Sequence, residues 1–261
     1  MKKHKQFLAL LICLVMSVSL FAGCGKKENT QEPKQSKEQT ENKEVAETRE
    51  ITDMAGRKVT VPAAEKIESV FSSSPVSAIF LYMVAPDKLL GWNYELNDIE
   101  KSIILEKYHD LPNFGMGDAI NYEAVIAANP TIAVNCGKIN DAMISDCDAL
   151  SESLGIPVVA VDNELKNSAE AFRFMGELLG VEDHAEELAA YAEKTFKDIA
   201  ALSDIPEDKK VRVYYGNGED SLETAPNGSQ HAQILDEINA INVADLELGD
   251  GSRVQISAEQ L

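Results

Sequence analysis

The sequence predicts an α/β protein: two doubly wound α/β lobes joined by a long rigid helix, with the second lobe incomplete within the chain. Three observations carry this. Short apolar runs at Ile67 to Phe71, Lys88 to Trp92, Thr131 to Asn135 and Pro157 to Val161 alternate with helical stretches, the pattern of βαβ units around a mostly parallel sheet. The stretch Asp183 to Leu202 holds no Gly or Pro, and as a helix it would extend about 30 Å. A polar break at Asp204 to Lys210 then precedes a fresh strand, Val211 to Tyr215.

The chain opens with Lys2, Lys3 and Lys5, an apolar run from Phe7 to Phe21, and Ala22-Gly23-Cys24. That order reads as a secretory signal peptide over residues 1–23, because the run is too short to span a bilayer and small residues before a cysteine mark a lipoprotein cleavage site. Cys24 then becomes the lipidated first residue. The alternative is an uncleaved signal anchor with an ordinary Cys24, and both readings place the protein on the extracellular face of the cell membrane. Residues 24–50 have no aromatic and almost nothing apolar, so they cannot bury enough surface to fold. They read as a tether with a reach on the order of 28 Å, suited to a lipid anchor.

Formal charge is −20, and −23 once the three signal lysines are removed. Such a surface disfavours nucleic acid and anionic lipid heads, so the membrane partner is expected through the anchor only. Beyond Cys13 and Cys24 the chain has Cys136 and Cys147. Two buried unpaired thiols are expected, with a disulfide as the alternative, since an oxidising compartment permits one.

In order, the first lobe is expected over 51–182. It opens on a hairpin, ITDMAGRKVTV, turning at Met54-Ala55-Gly56, and continues with the four strand runs. A long helical stretch follows from Ser168, broken near Gly180 with Asp183 as N-cap. Residues 183–203 form the interlobe helix, and 204–261 a partial second lobe with one clear strand, a helix from about Ser229 to Asn239, and a helix start at Ile256 to Leu261. One strand cannot make a sheet, so the chain reads as a fragment.

Several segments, weak singly, together resemble the class III substrate-binding proteins of ABC importers, the family that captures iron-siderophores, haem and cobalamin. They are REITDMAGRKVTVP, IESVFSSSP, LLGW, INYEAVIAANPTIAV, LGIPVVAV, NGSQHAQILDEINAINVADL and QISAEQL. The chain departs from the family at Asn239-Ala240-Ile241-Asn242-Val243-Ala244, where a Gly pair is usual, and in lacking the family's end. The resemblance implies two lobes on a strut helix with a ligand cleft between them.

Candidate ligand-binding residues follow. Ser73 and Ser74 lie in the loop between a buried strand and a helix, with plain N-capping as the alternative. Trp92 would offer a rigid aromatic platform, with core packing as the alternative. By resemblance, Phe114 falls where the family's cobalamin binder has a cleft aromatic, and His231 resembles a position that, with a tyrosine such as Tyr215, completes iron coordination in some siderophore binders. A helix-start His bonding backbone or water is the alternative for His231. His109 and His184 read as solvated helix residues. Glu123 and Glu259 match the family's pair of glutamates that dock into permease arginines, with favourable placement in a helix first turn as the alternative.

The resemblance implies capture of a metal chelate, most simply iron-siderophore, haem or corrinoid, for delivery to an ABC permease dimer with its cytoplasmic ATPase. No catalytic motif is found, and no resident cofactor is expected. The alternatives are an importer protein that binds zinc or manganese directly, disfavoured by three scattered histidines, and a non-transport adhesin or sensor on the same fold.

Overall fold

The computed structural model describes residues 47–244 and 253–260. The signal peptide, Cys24 and the tether up to residue 46 lie outside the described residues. The architecture is mixed α/β with a parallel sheet, as the alternating pattern required.

A hairpin leads. Strands β1 (Thr48–Thr52) and β2 (Lys58–Pro62) pair antiparallel with Ile51 opposite Val59. The turn between them needs positive φ, which Gly56 supplies at +78°. Asp53 closes it by accepting from the N–H groups of Ala55 and Arg57 at 3.1 and 2.9 Å, an Asx turn.

The main sheet is β3 (Val70–Ser72), β4 (Ile132–Gly137) and β5 (Val158–Asp162), parallel in that order. Apart from Asn135, Gly137 and Asp162 all their residues are buried, as expected of a parallel sheet covered on both faces. Helices α1 (Pro75–Val84) and α5 (Ser168–Leu179) cover one face, and α6 (Glu182–Ile199) packs on those two helices, so that Leu81, Met175 and Ala189 share one core with Val70, Val134 and Val161. Helices α3 (Tyr122–Ala127) and α4 (Asp141–Leu154) cover the other, where Val125 and Leu150 meet Phe71, Ala133 and Ala160. A short helix α2 (Asp98–Ile103), with a capping box at Asn97 and Glu100, lies in the connection before α3.

The Lys88 to Trp92 run shrinks to two bridges, Leu89 to Val70 and Trp92 to Asn113. Gly91 sits between them so close to another chain segment that a Cβ there would strike the Pro112 carbonyl and the Phe114 ring. That crowding stops a regular ladder.

Between α5 and α6 the chain turns at Gly180, φ +70°. The break was expected, but Asp183 is not the cap: Val181 occupies that position without a side-chain bond, and Asp183 sits in the first turn. α6 buries a stripe of alanines, Ala185, Ala189 and Ala192, against α5, and a Cβ on Gly176 would collide with that of Ala185.

After α6, a 3-10 turn at Ala200–Asp204 leads to more strands than the one expected. β6 (Arg212–Val213) pairs parallel with β9 (Ile241–Asn242), and β7 (Gly216–Asn217), β8 (Glu223–Thr224) and β10 (Val254–Gln255) form an antiparallel set. Each is two residues long, too short to leave an alternating signal. The helix expected over Ser229 to Asn239 is α7, Gln233–Glu237, and the terminal helix start is a 3-10 turn at Ala258–Gln260. A small core of Ala225, Ala232 and Leu235 holds this part together.

Candidate functional site

In open α/β sheets ligands collect beyond the carboxyl ends of the strands. Here β3 and β4 bring uncharged polar groups to that edge, and β5 ends in the Asp162 carboxylate, which accepts from the Glu164 N–H and Asn167 Nδ2. β3 ends in Ser72, with Ser73 and Ser74 directly after it, and each hydroxyl has a defined partner. Ser72 Oγ donates to Asn93 Oδ1 at 3.3 Å. Ser73 Oγ donates to Asn135 Oδ1 at 2.8 Å. Ser74 Oγ accepts the Ser77 N–H at 3.2 Å and shares a 2.9 Å bond with the Ser77 hydroxyl. Ser77, fully buried, also accepts the N–H of Cys136 at 2.9 Å. Serines stand here because strand end and helix start both leave backbone donors that a short hydroxyl can reach.

Capping therefore accounts for Ser74, while Ser73 does something else: it holds the carboxamide of Asn135, whose nitrogen meets Cys147 Sγ at 3.6 Å. Asn93 is likewise fixed, donating to the carbonyls of Ser72 and Gly115 at 3.0 and 3.1 Å. Ser73 and Ser74 are only half-buried, so their oxygens remain available at the edge.

Trp92 is not a platform. It is 1% exposed, its indole N–H donates to the Tyr108 carbonyl at 2.8 Å, and its ring packs at 5.7 Å from Tyr82. Phe114 is corrected in the same way, 3% exposed and set edge-on to Phe71 at 5.8 Å. Both rings are core: the chain running beside the edge strand β3 puts Trp92 in the cluster on the α1 side of the sheet and Phe114 in the cluster on the α3 and α4 side.

Tyr215 is half-buried against the Ala225 and Leu235 core, and its carbonyl accepts from Thr224 Oγ1 at 2.8 Å. His231 is exposed, its N–H donating to Ser229 Oγ at 3.3 Å. The neighbouring Gln230 Nε2 donates to Asn163 Oδ1 at 2.9 Å, and Gln233 Oε1 accepts the Leu165 N–H at 2.7 Å. Asn163 and Leu165 follow directly on β5, so the His231 segment abuts the same sheet edge as the serines.

His184 is an exposed helix residue, as expected, whereas His109 is half-buried. His109 Nε2 lies 2.7 Å from the Ile104 carbonyl, and His184 Nε2 lies 3.0 Å from that of Met83, joining α6 to α1. Glu123 is exposed in the first turn of α3. Glu259 is exposed as well, its carboxyl held below the usual range by its own backbone N–H and by the Ser257 hydroxyl.

Cys136 and Cys147 are both free and buried. Cys136 belongs to the α1 side of the sheet and Cys147 to the α4 side, so the sheet itself stands between them. Burial pushes the Cys136 thiol up to about 12 and raises that of Cys147, leaving both protonated and inert. Among the described residues no three His, Cys, Asp or Glu side chains converge as a metal centre would require.

The sequence reading missed Ser77, Asn135, Asn163 and Gln230. Asn135 carried a signal: a carboxamide inside the apolar run IAVNCG must find partners when buried. Beside Ser74, an apolar groove of about 440 Å³ runs between α1 and α5, lined by Val76, Ile79, Phe172 and Leu165 with Asn163 at its rim.

Residues 82–261 match the family described as periplasmic binding protein. No curated protein matches the chain. Among solved structures, an ABC transporter solute binding protein from Sulfurospirillum deleyianum is similar over 81% of this chain and 68% of its own, at 24% identity and a TM-score of 0.71. The molybdate periplasmic binding protein MolA of Haemophilus influenzae, bound to molybdate, is similar over 81% and 70%, at 21% identity and 0.61. The periplasmic vitamin B12 binding protein BtuF of Vibrio cholerae is similar over 74% and 71%, at 17% identity and 0.57. The chain thus spans about two thirds of the length of these structures, and the likeness is one of fold.

Proposed function

The chain belongs to the periplasmic binding protein family, and from that premise we propose that it is an extracellular, lipid-anchored receptor that captures a metal chelate and delivers it to an ABC permease. The observation that carries this is the meeting of two chain segments at one sheet edge. The Ser73, Ser74 and Asn135 cluster closes the first sheet, and the Gln230 to Gln233 segment is hydrogen-bonded to the loop after β5 at that same edge. A crevice between two such halves is where a small ligand is desolvated and held.

In this reading Ser73 and Ser74 face the ligand from one side, and Tyr215 and His231 face it from the other. The ligand is a chelate such as an iron-siderophore, haem or corrinoid. Glu123 and Glu259 are the docking carboxylates, each exposed and each free to meet an arginine fork bidentately. Cys24 carries the lipid. The protein makes and breaks no bond, and ATP is hydrolysed by a separate cytoplasmic subunit.

Native mass spectrometry of the protein purified from its own host tests capture. A co-purifying chelate mass is expected, and a lone divalent ion in its place would overturn the reading in favour of direct metal binding. Uptake into cells carrying Glu123→Ala with Glu259→Ala tests delivery. Ligand affinity is expected to persist while transport falls at least about tenfold, consistent with loss of two charge-assisted contacts.

A further inference from the structure

The edge proposed to hold the ligand also bears on the ligand's charge. The loops around the carboxyl ends of the main sheet, residues 93–101, 113–121, 137–141 and 162–168, contain seven Asp or Glu and three Lys. Two of those lysines, Lys138 and Lys166, both reach the carboxylate of Glu164, at 3.8 and 3.2 Å. Both are thus tied to a single rim carboxylate. The groups directly at the strand ends are hydroxyls and carboxamides on β3 and β4 and the Asp162 carboxylate on β5, with Asn93 and Asn135 locked by internal bonds.

A helix start normally attracts anions, and α1 begins at this edge. Its first residue is Pro75, which has no N–H, and the Ser77 N–H is already taken by Ser74 Oγ. Two of the first three helical positions therefore offer no donor to an oxyanion. What the serines do offer is neutral. Ser73 gives its proton to Asn135 and keeps acceptor lone pairs outward. Ser74 either donates to Ser77 or, with Ser77 donating to it, frees its own proton for a ligand acceptor.

Resting on the capture reading above, the geometry points to a ligand that is neutral or cationic where it meets the first sheet, selected against anionic chelates by a rim in which carboxylates outnumber lysines and two of the three lysines are held by Glu164. Recognition at this wall is hydrogen bonding to an uncharged periphery. Electrostatics act on encounter, drawing cations and slowing anions, and weaken as salt rises.

The test is calorimetric titration of the full chain with a neutral ferric trihydroxamate, its ammonium-bearing cationic analogue, a neutral corrinoid, a trianionic ferric tris-catecholate, and haem with its two propionates. Neutral or cationic probes are expected to bind at least about tenfold more tightly than the anionic ones at low salt. Glu164→Gln releases Lys138 and Lys166 and should narrow that gap several-fold without altering the neutral probes. Equal or tighter binding of the tris-catecholate or haem overturns the inference and leaves capture standing. No binding by any probe, together with no chelate in the native mass spectrum, overturns capture itself.

Discussion

Ala160 donates its backbone N–H to the carboxylate of Asp53 at 3.1 Å, across 107 positions of sequence. The same carboxylate accepts from the N–H groups of Ala55 and Arg57 and from the Arg57 guanidinium at 3.2 Å. One side chain therefore forms the hairpin turn and fastens it to the edge of β5. The Asp53 side chain is fully buried and that of Arg57 partly so, which makes the cluster intolerant of partial loss.

Asp53→Ala leaves those N–H groups without their acceptor and Arg57 with only Asp148 and the Val158 carbonyl, and should destabilise the protein by about 3 kcal/mol. Urea unfolding of the variant measures this, and a midpoint unchanged from wild type would show that the hairpin is not part of the cooperative unit.

Gly176→Ala should cost about 1–3 kcal/mol, because the added methyl meets Ala185 where α5 and α6 touch. Ala185→Gly in the same chain opens that space, so the double variant should recover part of the loss beyond the sum of the two single changes. Additive thermal midpoints would contradict close contact at this pair.

Trp92 is the sole tryptophan of the sequence and is buried. Its emission is expected to be blue-shifted and poorly quenched by acrylamide. A ligand that does not absorb near the emission band should leave it unchanged. A large ligand-induced shift would return Trp92 to the binding surface.

Cys136 and Cys147 should remain unpaired under oxidising conditions and resist alkylation until the protein unfolds, as peptide mapping would show. The folded-state pKa of Cys136 is raised above its unfolded value, to about 12. The stability it contributes is therefore present below the ordinary thiol range and is lost as pH climbs from there towards 12. Alkylation of the native protein at neutral pH as fast as of the urea-unfolded chain would refute their burial.

Ser73→Ala removes the donor to Asn135 Oδ1 and should cost about 1 kcal/mol of stability. Under the capture reading it also weakens ligand binding, whereas Ser74→Ala acts through the α1 cap at a similar cost. A Ser73→Ala variant with unaltered affinity would assign the residue to scaffold alone.

Local chemistry by itself determined much of this protein. Three of the four apolar runs became the strands of the parallel sheet because continuous burial demands continuous apolarity, and Gly56 and Gly180 marked turns that need positive φ. The serine cluster was legible because a strand-to-helix junction calls for short hydroxyls. What the sequence could not contain was which face or neighbour each side chain would meet. Trp92 and Phe114 look alike whether they line a cleft or a core, and only the packing of their chain segment beside β3 decided for the core. The two cysteines are eleven residues apart in sequence but belong to opposite faces of β4, and Asn135 matters only because Ser73 arrives beside it from 62 positions away. Composition and periodicity act over a few residues, whereas these pairings arise from parallel strands brought together by long crossovers, so the tertiary structure alone settles them.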